Sequence, residues 1–157
     1  GSVFTLHLPA SDAEVSTLAR PRAINGVGRI LVMDDDETIC VVVQRMLERL
    51  GYASDMCRNG AEALARYEDA RRAGRPFDAV ILDLTIPGHD GGAQVLPRLR
   101  AIAPDVVAIV ASGYADDDVL ARHEAYGFRG RLHKPFDITL LSLELSRVLQ
   151  VDPPDGP

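Results

Sequence analysis

The feature that most constrains this chain is a set of short apolar segments, each of which ends in polar residues. Helical patterns lie between these segments, and such alternation favours a parallel sheet whose strands are joined by helices. The segments, with the polar residues that end them, are 30–33 with Asp34 and Asp35, 79–82 with Asp83, 106–110 with Ser112, and 130–133 with Lys134. Because the carboxyl ends of parallel strands share one edge of a sheet, we expect these polar groups to meet there.

The periodicity of the remaining residues predicts the helices. Apolar side chains recur at three- and four-residue spacing between Ile39 and Leu50, and Gly51 is expected to end that helix in a left-handed conformation. The full prediction is strands at 28–33, 52–57, 78–82, 106–110 and 130–132, with helices at 39–50, after Asn59, at 92–102, at 116–126 and after Asp137. We therefore expect an α/β fold with a doubly wound, five-stranded parallel sheet in the order 2-1-3-4-5 and five helices.

Composition and charge limit the classes of function. Apolar residues make up 46% of the 157 residues, which suffices for one domain with a real core, and the formal net charge is −6. That charge argues against direct nucleic-acid binding, and no apolar run approaches the ~18 residues of a membrane span. The N-terminus lacks a signal-peptide pattern, and Cys40 and Cys57 have no CxxC spacing. We expect a cytoplasmic chain with free thiols that itself contacts neither nucleic acid nor membrane.

The polar groups expected at the sheet edge suit a phosphoryl-transfer site. Asp35 and Asp83 can supply the one or two carboxylates that Mg²⁺ uses, and a backbone carbonyl just past Asp83 can supply a further oxygen. A carboxylate can accept a phosphoryl group when a cation reduces the repulsion between the two anions. Lys134 can pair with a phosphate oxygen as a compact charge, and Ser112 can donate its hydroxyl to another oxygen.

These residues resemble the receiver domain of two-component response regulators. The resemblance covers about residues 28–149, and its motifs are Asp34-Asp35, Asp83, Pro87-Gly88 with Gly91, Ser112-Gly113 and Lys134-Pro135-Phe136, in family order and spacing. It implies the flavodoxin-like receiver fold and a cis Lys134-Pro135 bond.

The same resemblance implies the roles of the site residues. Asp83 would be the phosphoacceptor, Ser112 the switch hydroxyl and Lys134 the phosphate-pairing lysine. Asp34 and Asp35 would form the acidic pocket, with Mg²⁺ bound at this pocket by Asp35, Asp83 and the carbonyl of Thr85. The implied partner is a histidine kinase phosphoacceptor domain or a histidine phosphotransfer protein, and slow hydrolysis of the phosphoryl group is an open possibility.

One position departs from the family pattern. Many receivers carry an aromatic residue on the fifth strand, three residues before the lysine, and this sequence has Arg131 there. Burying a guanidinium in the slot of an aromatic ring would be costly, so we expect Arg131 to stay outward near acidic residues.

The ends of the sequence suggest a parent protein. Residues 1–10 resemble the last strand of the ATP-binding domain of histidine kinases, although Gly1 and Ser2 are equally typical of a cloning scar. We divide the chain into this remnant, a linker at 11–27, a receiver domain at 28–150 and a disordered tail at 151–157. We interpret the chain as the receiver of a hybrid sensor histidine kinase, a class of protein whose full chain can be anchored in a membrane.

Other interpretations remain open at this point. A pseudo-receiver that only binds partners would keep the fold, and an aspartate-nucleophile phosphatase of the haloacid-dehalogenase type would use similar chemistry. The phosphatase needs an aspartate two residues after its nucleophile, where this chain has Thr85. Asp36 is more typical of a helix cap than of a metal ligand. The acidic run 116–118 is more typical of the start of a helix than of a second metal site.

Overall fold

The computed structural model describes residues 26–113 and 118–150 of the chain. Strands and helices alternate along this part. The strands are β1 (Gly28–Met33), β2 (Tyr52–Cys57), β3 (Ala79–Asp83), β4 (Ala108–Ser112) and β5 (Gly130–His133), and the helices are α1 (Glu37–Arg49), α2 (Gly60–Arg72), α3 (Gly92–Ile102), α4 (Asp118–Ala121) and α5 (Ile138–Leu149). All neighbouring strands pair in parallel, in the order β2-β1-β3-β4-β5, which confirms the predicted fold class and strand order.

The central strands separate two apolar layers. Leu31, Leu82 and Val110 pack in one core cluster with side chains of α2 and α3. Their neighbours along the strands, such as Ile30 and Ile81, pack in a second cluster with side chains of α1 and α5. Strands covered on both faces must be apolar almost throughout, which is why β3 and β4 carry polar side chains only at their last residues, Asp83 and Ser112.

Polar caps fix where the helices begin. The Asp36 carboxylate accepts hydrogen bonds from the backbone N–H groups of Thr38 (2.8 Å) and Ile39 (3.3 Å), so α1 starts directly after the aspartates that end β1. Asn59 and Asp137 cap α2 and α5 in the same way. Gly51 has a φ of +89°, the left-handed conformation expected after the first helix. The predicted caps are confirmed.

The predicted fourth strand was wrong in its bounds. β4 begins at Ala108 rather than at residue 106, because the N–H of Val106 bonds to Ala103 in the turn that follows α3. The ladder then continues past the apolar run, where Asp83 lies opposite Ala111 and Ser112 lies opposite His133. Strand bounds therefore follow the backbone hydrogen bonds, which carry the polar residues Asp83 and Ser112 into the sheet.

The predicted C-terminal end of the fourth helix, 116–126, was also wrong. α4 ends at Ala121, and the chain continues in turns to Gly127. Ala125 and Gly127 bond to carbonyls three residues back, which tightens the chain before Phe128, 2% exposed, enters the core. The first residues of that predicted helix lie outside the described residues, as do the predicted kinase remnant, most of the linker, and the tail at 151–157.

Candidate functional site

Three carboxylates meet at the carboxyl edge of the sheet, between β1 and β3. Asp34 and Asp83 are 3% and 7% exposed, whereas Asp35 is exposed. Each offers an oxygen atom, and these oxygens lie within 4.8 Å of one another. The structure thus brings Asp35 and Asp83 into one acidic cluster, the type of site that suits a divalent cation.

Lys134, the single lysine of the sequence, enters this cluster from the end of β5. Its Nζ lies 2.5 Å from Asp34 Oδ2 and 3.2 Å from Asp83 Oδ2. The peptide bond to Pro135 is cis, and the backbone N–H of Lys134 donates to the carbonyl of Ser112 at 2.8 Å. Burial alone would lower the pKa of Lys134, but the hydrogen bond to Asp34 and the nearby charge of Asp83 outweigh it and raise the pKa. The side chain is therefore a fixed ammonium at neutral pH.

Asp83 lies in an unfavourable environment for a carboxylate. Desolvation raises its pKa, the Lys134 ammonium lowers it in part, and the charge of Asp34 raises it again. The backbone N–H of Thr85 donates to Asp83 Oδ1 at 3.4 Å, a long and weak contact. A second cation near Asp83 would further stabilise the ionised form of this carboxylate.

Asp34 has both carboxylate oxygens engaged. Oδ1 accepts the backbone N–H of Asp36 at 3.0 Å, and Oδ2 accepts the Lys134 ammonium. The carbonyl of Asp34 also accepts the thiol of Cys40 at 3.3 Å. Sequence reasoning missed this role of Cys40, which was treated only as a free thiol. The signal available was its place one helical turn beyond the Asp36 cap.

These groups line a cavity of about 300 Å³. Its walls bring together every residue that the sequence assigned to the site: Asp34, Asp35, Asp83, Thr85, Ser112 and Lys134. Ile39, Pro87 and Gly113 complete the lining, together with Asp36, which acts as the cap of α1. Ser112 is 1% exposed, so its hydroxyl is held in the wall of the cavity and not in bulk water.

The departure at Arg131 is visible on β5. Its side chain is exposed, and its guanidinium donates to the carbonyl of Leu120 at 3.4 Å. Arg131 is thus outward, as expected, and the acidic Glu144 lies beside it and accepts its backbone N–H at 2.6 Å, although the partner of the guanidinium is a carbonyl of α4.

A family model for the response regulator receiver domain matches residues 30–146. This chain belongs to that family. The receiver is a phosphoacceptor module of two-component signalling, and receivers interact in general with histidine kinases or phosphotransfer proteins.

The curated relatives include a long sensor kinase and a much shorter phosphotransferase. The receiver is 29% identical to the sensor kinase CckA of Brucella abortus over 161 residues, which cover 96% of this chain and 17% of CckA. It is 32% identical to sporulation initiation phosphotransferase F of Bacillus subtilis over 110 residues, which cover 70% of this chain and 84% of the relative. The chain therefore spans most of a single-domain relative and about a sixth of the kinase.

A solved structure shares the fold and most of its length. It is the receiver domain of a sensor histidine kinase from Pseudomonas aeruginosa PAO1, described with a magnesium ion coordinated in the active-site cleft. The two superpose with a TM-score of 0.68 at 25% identity, over 80% of this chain and 99% of that domain.

Proposed function

We propose that this receiver takes a phosphoryl group from a phosphohistidine onto Asp83, with Mg²⁺, and changes conformation in response. The observation that carries the proposal is the Lys134 ammonium, which lies within 3.2 Å of Asp83 beside the clustered carboxylates. A fixed cation next to a buried carboxylate is the arrangement that an incoming phosphoryl group requires.

The donor set suits Mg²⁺. Because Lys134 and a backbone N–H already occupy Asp34, the carboxylates left for a cation are Asp35 and Asp83. Mg²⁺ keeps several waters and uses one or two carboxylates, and the exposed Asp35 suits such a hydrated ion. The carbonyl of Thr85 is the proposed third protein ligand. Bound Mg²⁺ would reduce the repulsion between Asp83 and the phosphoryl oxygens.

The receiver's own residues perform the transfer by orientation and charge. An oxygen of Asp83 forms the new bond to phosphorus while the bond from phosphorus to the histidine nitrogen breaks, and that nitrogen keeps the electron pair. Lys134 pairs with one phosphoryl oxygen, and the hydroxyl of Ser112 donates to another. Water can later cleave the acyl phosphate, which gives slow hydrolysis without a further catalytic residue.

The groove beside the site fits a helical phosphodonor. A cavity of about 420 Å³ lies between α1 and the loop after β5, and it shares Ile39, Gly113 and Lys134 with the phosphoryl cavity. Val42, 45% exposed, and Met46 line it from α1, and Phe136 lines it from the loop. An amphipathic helix could place apolar residues in this groove and its histidine above Asp83.

We also propose that the receiver comes from a hybrid sensor histidine kinase. The alignment with CckA covers 96% of this chain and therefore extends beyond the 30–146 match to the family model. This supports the assignment of residues 1–10 to the end of a kinase domain and 11–27 to a linker. A location of the receiver in the cytoplasm is part of the same proposal. No helix among the described residues is long and apolar enough to cross a membrane.

The test is direct phosphorylation of the purified chain. With Mg²⁺ and a small acyl phosphate, mass spectrometry should find one phosphoryl adduct on Asp83, and Asp83→Asn should show none. In Asp35→Ala, the yield of the adduct should no longer depend on Mg²⁺. Asp105→Asn is the matched control, because Asp105 is an exposed acid in the turn before β4, and its adduct should equal that of the unaltered chain. An adduct that persists in Asp83→Asn would overturn the assignment, and a folded chain without any adduct would be a pseudo-receiver.

A further inference from the structure

A second crevice lies at the opposite end of the sheet from the phosphoryl cavity. Its volume is about 380 Å³, within the size range of small-molecule sites. Arg129 lines it directly before β5 begins, whereas Lys134 lines the phosphoryl cavity directly after β5 ends. Arg100 of α3 and Arg147 of α5 line the same crevice, so three arginines from different parts of the chain converge there.

Gly127 holds the guanidinium of Arg100 in place. The carbonyl of Gly127 accepts a hydrogen bond from Nη2 of Arg100 at 2.7 Å. Gly127 has a φ of +92°, and a β-carbon at this position would collide with the guanidinium of Arg100. The planar group therefore packs against bare backbone. A guanidinium has five N–H groups, so those that do not bond to Gly127 can still donate to a ligand.

Arg147 is oriented in a similar way, whereas Arg129 is not paired. Nη2 of Arg147 donates to the carbonyl of Arg129 at 2.6 Å and to Glu144 Oε1 at 2.7 Å. The guanidinium of Arg129 makes no hydrogen bond or ion pair with any residue that the structure describes. The crevice thus combines two oriented guanidiniums with a third that is available to a ligand.

The floor of the crevice is apolar, and its walls carry a small excess of positive charge. Phe128 and Val148 are 2% and 5% exposed. Glu124 also lines the crevice, and Glu144 is paired with Arg147. Three arginines and two glutamates leave a net charge of +1 here, on a chain whose formal net charge is −6. An apolar floor beneath cationic walls suits an organic anion better than a bare inorganic ion.

We propose that this crevice binds a small organic polyanion, whose phosphoryl or carboxylate oxygens pair with Arg100 and Arg129. The planar guanidinium fork matches both kinds of oxyanion. Arg100 and Arg147 are oriented before any ligand arrives, so binding has less side-chain entropy to lose. Because the crevice lies at the far end of the sheet from Asp83, its ligand does not depend on phosphorylation of that residue.

The experiment titrates the full, metal-free chain with citrate and, separately, with fructose 1,6-bisphosphate, and follows backbone amide shifts by NMR. At least one of these anions should give saturable shifts at residues 127–130. Arg129→Met should bind that anion about tenfold more weakly, the lower end for a hydrogen bond to a charged group, because the crevice is open to water. Arg66→Met is the matched control: it removes an exposed arginine that lines the cavity between α1 and α2, and it should bind as the unaltered chain does.

A second variant tests the sign of the charge. Glu124→Gln removes a carboxylate that repels the anion, and it should tighten binding about two- to fivefold, the range for an exposed charge pair. This variant also keeps the test decisive if Arg129→Met does not fold, because equal or weaker binding by Glu124→Gln would then contradict the proposal.

The outcomes are distinct from those of the phosphorylation test. The absence of saturable shifts at residues 127–130 up to about 10 mM of either anion would overturn the proposal. Equal weakening in Arg129→Met and Arg66→Met would do the same, since it would show general charge attraction in place of a site. The relative affinities for citrate and the bisphosphate identify carboxylate or phosphoryl oxygens as the preferred group. A receiver that is phosphorylated on Asp83 but binds neither anion would keep the proposed function and lose this inference.

Discussion

Asp83 is held in the fold at an energetic disadvantage. Its side chain is 10% exposed, and burial together with the charge of Asp34 opposes its ionisation more than Lys134 favours it. The folded chain therefore holds this proton more tightly than the unfolded chain does. In the acyl phosphate the negative charge lies on the phosphoryl oxygens and no longer on the buried carboxylate, and there Lys134 can pair with it.

The raised pKa of Asp83 predicts a pH-dependent effect on stability. Because the folded pKa of Asp83 lies above the usual value of 3.8, the free energy of unfolding falls as pH rises from that value through the folded pKa. Asp83→Asn never ionises, and Lys134 keeps its contact with Asp34, so the metal-free variant should melt a few degrees higher than the unaltered chain at pH 7. Thermal melts at several pH values test this. The difference in melting temperature between the two chains should shrink below about pH 4, where Asp83 is itself protonated. A variant that melts lower than the unaltered chain at pH 7 would contradict the expectation.

Among the elements, α1 has the largest part in shaping the site. Its cap follows the acidic pair directly, its first turn carries Cys40 against the carbonyl of Asp34, and its exposed side lines the groove proposed for the partner. Movement at the start of α1 would therefore displace the acidic pocket.

Asp36→Ala should weaken α1 without removing the phosphoacceptor. Loss of the two hydrogen bonds to Thr38 and Ile39 should lower the free energy of unfolding by about 0.5–2 kcal/mol, measured by urea denaturation. Asp36→Asn retains an acceptor and serves as the control. Phosphorylation of Asp83 should persist in both variants. Equal stability of the alanine and asparagine variants would show that the cap contributes little.

The sequence predicted the elements whose signals are local. Apolar runs predicted β1 and β3, and cap residues such as Asp36 and Asn59 predicted the helix starts. The site residues were predictable because strand ends determine where Asp83 and Lys134 lie. The bounds of β4 and α4 depend on contacts that are distant in sequence, such as the ladder opposite Asp83 and the burial of Phe128, so no local pattern could give them. The hydrogen bond from the Cys40 thiol to the Asp34 carbonyl likewise could not be predicted before the path of the backbone was known.

At the scale of the molecule, the described apolar core is contained between Ile30 and Val148. Both layers lie within that range, and the five strands of the sheet begin only two residues before it, at Gly28. Towards the N-terminus, the described chain joins this unit through the N–H of Gly26, which bonds to the carbonyl of Leu50 at 2.9 Å.

Deletion of residues 1–20 should therefore leave the receiver nearly unchanged. The thermal midpoint should stay within about a degree or two, and the yield of phosphoryl adduct should be equal, because the core and the site lie beyond the deletion. Differential scanning calorimetry and intact-mass analysis check the two parts. A large drop in the midpoint would show that the first segment belongs to the receiver fold.

The single lysine has a practical consequence for the chemistry of this chain. The sequence has 17 lysine and arginine residues, and all except Lys134 are arginine. Reagents that acylate amines thus have two kinds of target, the terminal amine and one side chain inside the phosphoryl cavity. The raised pKa of Lys134 keeps it protonated and slow to react at neutral pH, whereas the terminal amine reacts readily. At neutral pH such a reagent should therefore label the terminal amine and leave Lys134, and with it the phosphoryl cavity, unmodified.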